Sequence, residues 1–306
     1  MRKVGVIGLG HVGSTVAYTL VSKGIADELV LIDHNEAKCT AEYYDLLDSL
    51  GRLDTYTKLM MNDYNALSDA DVVITAFGDI KALAEGGDRF LEYSFNCEQA
   101  KQVGTSLREA GFKGVLINIS NPCDVITGLL QHYTGLSREQ VFGTGTFLDT
   151  ARMQRAVSMA LNQNPHNIAG YVLGEHGESQ FAAWSTITVQ GEPITKVAAE
   201  KHLELEELDK AARGGGWLVF NGKHYTCYAI ATCAVKLLQA VFSDAQLACP
   251  ASVYLEEYGC YVGYPAVIGA QGIEYVHKLE LTPQEKELLD KSAKMIAEKT
   301  KEGLQK

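Results

Sequence analysis

The first half of the chain alternates short apolar runs with longer stretches of helical spacing. The apolar runs are unbroken, which is typical of strands covered on both faces. We predict six such strands, at 4–7, 29–32, 58–61, 72–75, 115–119 and 141–143. The predicted helices between them cover 11–23, 36–50, 90–110 and 123–132. This alternation favours right-handed βαβ units around one parallel sheet.

The pattern changes after about residue 143. Further helices are predicted near 148–163, 204–212 and 226–242, and strand-like pieces are predicted at 168–173, 181–189 and 260–268. The last helix has a predicted capping box, with Thr282 as its N-cap, Pro283 in the first turn and Glu285 three residues after the cap. We therefore expect a parallel α/β domain over residues 1–143 and an α+β domain over residues 144–306.

A glycine motif follows the first predicted strand and opens the first predicted helix. Gly8, Gly10 and Gly13 form a G-x-G-x-x-G pattern, which on its own is weak and is compatible with a simple tight turn. After a strand and before a helix, however, the pattern is typical of a loop that holds a pyrophosphate at a helix N-terminus. This context predicts a Rossmann-type doubly wound sheet that binds a dinucleotide.

Asp33 strengthens this interpretation because it ends the second predicted strand, 20 residues after Gly13. A carboxylate at this position accepts hydrogen bonds from an adenosine ribose and repels a 2′-phosphate. The next residues, His34 and Asn35, include no arginine for such a phosphate, so NAD is favoured over NADP. The alternative is that Asp33 caps the next helix.

Composition and charge exclude several classes of partner and site. Apolar residues make up 46% of the 306 residues, which is ordinary for a folded chain with a core. The formal net charge is −11, so neither nucleic acid nor an anionic membrane surface is an expected partner. The seven cysteines include no C-x-x-C spacing, which argues against a zinc site, and we predict no metal. Reduced thiols and the absence of a signal-peptide pattern favour a cytoplasmic protein.

The second half carries the candidate chemistry. His176 lies between Gly174 and Gly177, which leave its ring accessible, although a lone histidine is more often a surface or core residue. Asp149 and Arg152 are three residues apart and share a helix face. They either form an ordinary ion pair, or Asp149 orients a histidine while Arg152 binds a substrate carboxylate through two hydrogen bonds.

These motifs together resemble the lactate/malate dehydrogenase family from end to end. In chain order, the resemblance rests on Gly8–Gly13, Asp33, Asp88-Arg89, Ile119-Ser120-Asn121-Pro122, Asp149–Arg152, Gly174–Gly177 and Tyr225-Thr226. Within that family the sequence is most similar to the L-2-hydroxyisocaproate dehydrogenases. The resemblance implies an NAD-dependent L-2-hydroxycarboxylate dehydrogenase, and L-lactate dehydrogenase is the alternative within this enzyme class.

The resemblance also implies roles for individual residues. His176 is the implied general acid, held by Asp149, and Arg152 is the implied carboxylate anchor. Arg89, after a glycine-rich stretch, would polarise the substrate carbonyl when a lid closes. Asn121, before an Asn-Pro bond that can be cis, would contact the carbonyl and the nicotinamide ribose.

Other implied contacts concern the substrate pocket and the cofactor. Thr226 would line the substrate side, and Ile230 would cover the nicotinamide. The full implied cofactor set is Gly8, Gly10, His11, Val12, Gly13, Asp33, Thr75, Ala76, Gly78, Ile119, Asn121 and Ile230. The family is commonly tetrameric or dimeric, so a homotetramer or homodimer is expected.

Two departures from the family pattern predict specificity and regulation. The loop 79–88 has neither the arginine of malate-type loops nor the glutamine of lactate-type loops, and it carries Lys81. Leu83 and Ala84 predict a roomier apolar pocket, and Glu85 disfavours a dicarboxylate, so larger apolar 2-keto acids are the expected substrates. Allosteric relatives bind a sugar bisphosphate with two basic residues, and Gln154 and Ala169 occupy those positions here.

A hypothesis from another class remains open at this point. The chain could be a non-catalytic NAD(H) sensor whose second domain makes protein contacts. A sensor needs the Gly8–Gly13 loop and Asp33, but it has no use for His176, Asp149 and Arg152 together.

Overall fold

The computed structural model describes residues 1–78 and 89–305, with side chains except those of 89–92. One mixed sheet of nine strands runs through this part of the chain. The strands of this sheet are β1 Lys3–Ile7, β2 Glu28–Ile32, β3 Lys58–Met61, β4 Val72–Thr75, β5 Val115–Asn118, β6 Val141–Gly143, β12 Leu247–Leu255, β13 Cys260–Gly269 and β14 Gly272–Val276. Its strand order is β14-β13-β12-β6-β5-β4-β1-β2-β3.

The helices pack on this sheet and beside it. In the described ranges they are α1 His11–Ser22, α2 Glu36–Leu50, α3 Arg89–Glu109, α4 Cys123–Thr134, α5 Phe147–Leu161, α6 Ile194–Lys201, α7 Leu205–Lys223, α8 Tyr228–Ser243 and α9 Pro283–Leu304. Short strands complete the second half, namely β7 Ile168–Ala169, β8 Val172–Leu173, β9 Phe181–Ala182, β10 Thr188–Val189 and β11 Glu192–Pro193.

The six strands β1 to β6 are parallel and have the order 3-2-1-4-5-6 of a Rossmann-type sheet, so this prediction is confirmed. The strand order reverses between β1 and β4, where Ile7 pairs with Thr75. In sheets of this kind, ligands bind in the crevice outside the carboxyl ends of the strands at this switch point. The switch point therefore marks where a cofactor site is expected.

The second half adds three antiparallel strands to the same sheet. β12 pairs with β6 through Ser252 and Gly143, and β13 and β14 follow outward. Buried side chains of β12, β13 and α8 belong to the same apolar cluster as those of β1 to β6. A second cluster fills the space between α5, α6, α7 and the short strands. The two halves of the sequence therefore share one sheet and most of one core.

Several predicted elements differ from the structure. The predicted strand at 168–173 is two short strands separated by Gly170, whose φ of +106° breaks the extended backbone. The predicted strand at 181–189 is interrupted by a 3-10 turn at Trp184–Thr186. The helix predicted at 204–212 continues to Lys223. Sequence patterns did not predict β12, β14 or α6.

The C-terminal helix follows its predicted capping chemistry. Thr282 caps α9, its hydroxyl oxygen accepts the N–H of Glu285, and the Glu285 carboxylate accepts the N–H of Thr282. In the described ranges no single helix is long and apolar enough to cross a membrane. Only α7 and α8 taken together, bent by 117° at the break between them, meet the test of length and composition.

Candidate active site

The glycine loop lies at the switch point and is shaped by close backbone contacts. Gly8 has a φ of +93°, and a Cβ there would lie 2.6 Å from the carbonyl carbon of Ala76, at the end of β4. A Cβ on Gly13 would lie 1.7 Å from the carbonyl oxygen of Gly8, so α1 could not pack this closely with a side chain at 13. A Cβ on Gly10 would meet nothing within 4 Å. The loop is therefore tight on its inner side and open on its outer side.

The N-terminus of α1 opens onto the same crevice. Gly10 is its N-cap, and no side chain caps the first N–H groups. Free N–H groups at a helix start, next to an open glycine, suit the phosphates of a dinucleotide. Thr75, Ala76 and Gly78 follow along the end of β4. These residues fit a bound NAD at the place where the sequence predicts it.

Asp33 connects the end of β2 to the glycine loop. Its carboxylate accepts the N–H of Leu9 at 2.7 Å and the N–H of Asn35 at 2.8 Å. The N-cap of α2 is Asn35, whose side chain accepts the N–H of Lys38, so the capping hypothesis for Asp33 is wrong. A carboxylate has about four acceptor sites, so these two hydrogen bonds do not use up the acceptor capacity of Asp33.

A buried carboxylate joins the two main candidate groups of the second half. Asp149 lies in the first turn of α5, and its side chain is 3% exposed. Its Oδ2 lies 2.5 Å from Nδ1 of His176, and its Oδ1 accepts Nη1–H of Arg152 at 3.0 Å. The two interpretations of Asp149 and Arg152 are thus compatible, because the ion pair and the histidine contact use different oxygens.

The electrostatics of this triad favour a charged imidazole. The Asp149 carboxylate raises the pKa of His176 above its ordinary value, against the burial that lowers it. Burial also raises the pKa of Asp149, but the positive charges of His176 and Arg152 outweigh it, and the pKa is lowered. With Nδ1 donating to an ionised Asp149, Nε2 is free to exchange a proton, and it has no partner among the described residues.

Local backbone structure fixes the position of His176. The preceding Gly174 has a φ of +90° and exchanges two backbone hydrogen bonds with Gly263 on β13. The N–H of Glu175 donates to the hydroxyl of Ser292 on α9. The imidazole therefore stands on a short segment that two distant elements hold, and its side chain remains 22% exposed.

The other predicted site residues lie at the ends of strands and helices around the His176–Asp149–Arg152 group. The Asn121-Pro122 bond is cis, and the carbonyl of Asn121 accepts Nδ2–H of the fully buried Asn96 at 2.6 Å. Ile119 and Asn121 follow the carboxyl end of β5. Thr226 lies between α7 and α8, and Ile230 lies in the first turn of α8. Contacts of these residues with substrate or cofactor stay predictions.

A ring stack connects the glycine loop with the second half of the chain. The rings of His11 and Tyr225 are parallel within 4°, with centroids 3.6 Å apart. Because Tyr225 precedes Thr226, the stack brings the connection between α7 and α8 to the cofactor loop. The sequence singled out both positions but did not predict their contact.

Part of the prediction lies outside the described residues. This applies to the loop 79–88, with Lys81, Leu83, Ala84 and Glu85, and to the side chain of Arg89, which begins α3. In residues 1–78 and 89–305, no three His, Cys, Asp or Glu side chains cluster so that they could hold a metal ion.

Sequence reasoning missed residues on three elements near His176, Asp149 and Arg152, namely α4, β12 and α7. Asp124 and Ser252 form a buried pair whose carboxylate binds the backbone of His176. Gly216 on α7 lies against Arg152, and a Cβ there would be 3.3 Å from the guanidinium carbon. Asp124 could have been noticed as an acidic residue in the otherwise apolar start of α4. Three consecutive glycines inside a helix were the available signal for Gly216.

Comparisons with known proteins identify the family. The model described as lactate/malate dehydrogenase, NAD binding domain, matches residues 2–143, and that described as lactate/malate dehydrogenase, alpha/beta C-terminal domain, matches residues 146–306. L-lactate dehydrogenase 2 of Enterococcus faecalis is 35% identical in an alignment of 305 positions that covers 96% of this chain and 95% of that protein. L-lactate dehydrogenase 3 of Bacillus cereus is 36% identical in an alignment of 300 positions that covers 95% of this chain and 94% of that protein.

Solved structures agree. The ligand-bound minor L-lactate dehydrogenase from Enterococcus mundtii has a TM-score of 0.93 at 32% identity, covering 98% of both chains. A lactate dehydrogenase from a Medee basin deep-sea metagenome library, MGS-M5, has a TM-score of 0.92 at 31% identity, covering 99% of both chains. The chain therefore belongs to the lactate/malate dehydrogenase family, and it is an NAD-dependent oxidoreductase that acts on 2-hydroxy acids.

Proposed function

We propose that the chain interconverts 2-keto acids and L-2-hydroxy acids, with His176, Asp149 and Arg152 as its central groups. The observation that carries this proposal is the single buried carboxylate of Asp149, which holds an imidazole and a guanidinium side by side. In the reducing direction, Nε2–H of His176 gives its proton to the carbonyl oxygen. Asp149 stabilises the imidazolium before the transfer and holds the ring afterwards.

Arg152 is the proposed anchor of the substrate carboxylate. Within the described residues its guanidinium makes one hydrogen bond, from Nη1 to Asp149, so its remaining N–H groups are available. A guanidinium binds a carboxylate through two parallel hydrogen bonds, which fixes orientation as well as position. Such a grip sets the ketone carbon against the cofactor and its oxygen against His176.

The crevice at the switch point would hold the nicotinamide cofactor, which as NADH would supply the hydride for ketone reduction and as NAD⁺ would accept it in the reverse direction. We assign the pyrophosphate to the Gly8–Gly13 loop and the start of α1, and the adenosine ribose to Asp33. Asn121 and Ile230 would contact the nicotinamide end, and Thr226 would line the substrate side. Arg89, at the start of α3, is proposed to polarise the carbonyl.

The non-catalytic sensor hypothesis is not supported. Burying a carboxylate costs free energy unless it has charged partners. A protein that only binds NAD(H) does not need the His176–Asp149–Arg152 arrangement, whereas an enzyme that transfers a proton does. The family is one of enzymes, and the His176–Asp149–Arg152 unit suits the chemistry of its 2-hydroxy acid substrates.

For the substrate side chain we propose a preference for larger apolar 2-keto acids over pyruvate. Three glycines, Gly214 to Gly216, stand inside α7, where each costs about 1 kcal/mol of helix stability relative to alanine. Gly216 borders the guanidinium of Arg152 so closely that a Cβ there would lie 3.3 Å from the guanidinium carbon, so a side chain at this position would crowd the carboxylate anchor. The names of the relatives favour L-lactate dehydrogenase, which is the second candidate.

A panel of 2-keto acids separates these two candidates. We expect kcat/KM for 2-ketoisocaproate or phenylpyruvate to exceed that for pyruvate by about 10-fold, and both to exceed that for oxaloacetate, because one methylene group contributes about 1–3 kcal/mol to discrimination. NADH consumption measures each rate. Pyruvate as the best substrate would favour L-lactate dehydrogenase, and oxaloacetate as the best would contradict the proposed pocket.

Substitution of the helix glycines ties that preference to the structure. Gly216→Ala is expected to shift the ratio of kcat/KM values about 5-fold toward pyruvate, because the new methyl group occupies space beside Arg152. Gly214→Ala is the matched control, since a Cβ at that position meets nothing within 4 Å. The control should leave the ratio unchanged.

We also expect no activation by fructose 1,6-bisphosphate. Gln154 and Ala169 occupy the two positions that are basic in the allosteric relatives. The amide of Gln154 donates to the carbonyl of Ile168, the residue before Ala169, at 2.8 Å. Neither side chain carries the positive charge that a bisphosphate needs. Substrate saturation curves with and without the sugar bisphosphate should superimpose, and a lowered KM in its presence would contradict this expectation.

Association with further copies of the chain, as a homodimer or homotetramer, is proposed on the basis of exposed apolar side chains. Met159 on α5, Trp217 and Leu218 on α7, and Tyr228 on α8 are 67% to 76% exposed. Large apolar groups in this number commonly mark an interaction surface. A symmetric homo-oligomer would cover them.

A further inference from the structure

Asp124 is a buried carboxylate that binds the backbone of His176. It lies in the first turn of α4 and is 2% exposed. Its Oδ2 accepts the N–H of His176 at 2.9 Å, and its Oδ1 accepts the hydroxyl of Ser252 at 2.6 Å. These partners are 52 and 128 residues away along the chain. One side chain thus joins α4, β12 and the segment that carries His176.

The two contacts use both carboxylate oxygens of Asp124 as acceptors. A backbone N–H can only donate, and the Ser252 hydroxyl donates here, so both carboxylate oxygens of Asp124 are used as acceptors. Ser252 is fully buried, so water does not replace its contribution. Within the described ranges, no Lys, Arg or His side chain forms an ion pair with Asp124. Burial raises the pKa of Asp124 to about 6. Keeping a carboxylate under these conditions is costly unless the charge has a use.

The nearest use for that charge is the imidazole of His176. Asp149 and Asp124 both raise the pKa of His176, whereas burial and Arg152 lower it. The charge of His176 in turn lowers the pKa of Asp124. Among the described residues, the titratable groups that interact with Asp124 are His176, Glu175, Cys123 and Cys260.

We propose that Asp124, held by Ser252, is a positioning residue of the reaction, which fixes the peptide of His176 and places a second negative charge near its ring. This inference rests on the proposed role of His176 as the proton donor. Ketone reduction needs the imidazolium, and a nearby negative charge stabilises it before the proton leaves. Asp149 sets the orientation of the ring, and Asp124 sets the position of the backbone from which the ring extends.

The test is the pH dependence of kcat/KM for ketone reduction in Asp124→Asn at saturating NADH. Activity needs the protonated form of His176, so it is present below the pKa of that group and is lost as pH rises through it. Removing a negative charge lowers this pKa, so activity is expected to disappear about 0.5–1 pH unit earlier than in the parent enzyme. The Kd for NADH should stay unchanged, because Asp124 acts through His176.

The asparagine variant retains a workable hydrogen-bond arrangement. Its carbonyl oxygen can accept the N–H of His176, and its amide can donate to the Ser252 hydroxyl, which can accept instead of donating. Ser252→Ala is the second variant, and it is informative even if Asp124→Asn does not fold. It removes one donor to the carboxylate, so a smaller shift in the same direction is expected.

Glu285→Gln is the matched control. Glu285 is also buried, at 8% exposed, and its carboxylate accepts the hydroxyl of Ser185 at 2.6 Å and the N–H of Ser185 at 3.0 Å. Its chemistry therefore matches that of Asp124, but it belongs to the capping box of α9 and does not contact His176. This variant should lower the Tm and leave the pH profile where it is in the parent enzyme.

The outcomes are distinguishable. An earlier alkaline loss of activity in Asp124→Asn or Ser252→Ala, with an unmoved profile in Glu285→Gln, supports the inference. An unmoved profile in an active Asp124→Asn, or an equal shift in Glu285→Gln, overturns it and leaves the proposed function intact. No oxidation of NADH with any 2-keto acid by the unmodified protein would overturn the proposed function itself.

Discussion

Replacing His176 by asparagine is expected to lower kcat for 2-keto acid reduction about 10³-fold, because positioned acid–base groups contribute about 10²–10⁴-fold. Asparagine has a similar size and can donate to Asp149 through its amide, so the contact at 2.5 Å has a replacement. It cannot give a proton to the carbonyl oxygen. The Kd for NADH, measured by fluorescence titration, should remain close to that of the parent enzyme.

A second histidine provides the control for this experiment. His166 is exposed, and its Nδ1 contacts the side chain of Asn164 at 2.8 Å, away from Asp149. His166→Asn should retain parental kcat. Undiminished turnover by His176→Asn would remove His176 from the mechanism, and an equal loss in both variants would indicate a general effect on folding.

Arg152→Leu is expected to lower kcat/KM for 2-keto acids about 10²–10⁴-fold, since removing one partner of a buried charge pair costs about 3–5 kcal/mol. Two losses combine in this variant. The substrate carboxylate has no anchor, and the 3% exposed Asp149 keeps only His176 as a partner. The rates at low substrate concentration measure the effect directly, and ketones without a carboxylate should lose much less activity, because only the effect on Asp149 applies to them.

Arg155 offers a matched control on the same helix. It lies three residues after Arg152, and its Nη2–H donates to the carbonyl of Ala211 at 3.0 Å instead of to Asp149. Arg155→Leu should change kcat/KM by less than about 3-fold, since that hydrogen bond is exposed and such bonds contribute little. A comparable loss in both variants would contradict the assignment of the anchor to Arg152.

Much of the nucleotide half could be predicted because its strands are buried on both faces. Unbroken apolar runs such as 72–75 then identify the strands, and the glycine loop locates the switch point. The pattern failed for β12, where Pro250 pairs with Pro265 in the middle part of the β12–β13 ladder. Pro250 lowers the strand expectation for this short stretch, and β12 becomes recognisable only through its long-range pairing with β13.

The candidate site divides in a similar way. Residue types and spacing singled out His176, Asp149 and Arg152, and the structure brings these three together. Their roles stay predictions. The supporting contacts of Asp124 could not be predicted, because they join positions 52 and 128 residues apart and leave no local periodicity. Sequence patterns report local burial, whereas a positioning network depends on the complete fold.

The division of the chain at residues 143 and 144 stays a proposal, and the continuous sheet limits what such a division can mean. β6 ends the parallel part, and its outer edge is hydrogen-bonded only because β12 arrives from the other half. An unpaired edge of this kind invites association with other chains. The halves are therefore not interchangeable modules, and a chimaera that borrows the nucleotide half from a relative must also borrow β12 to β14 or supply their equivalent.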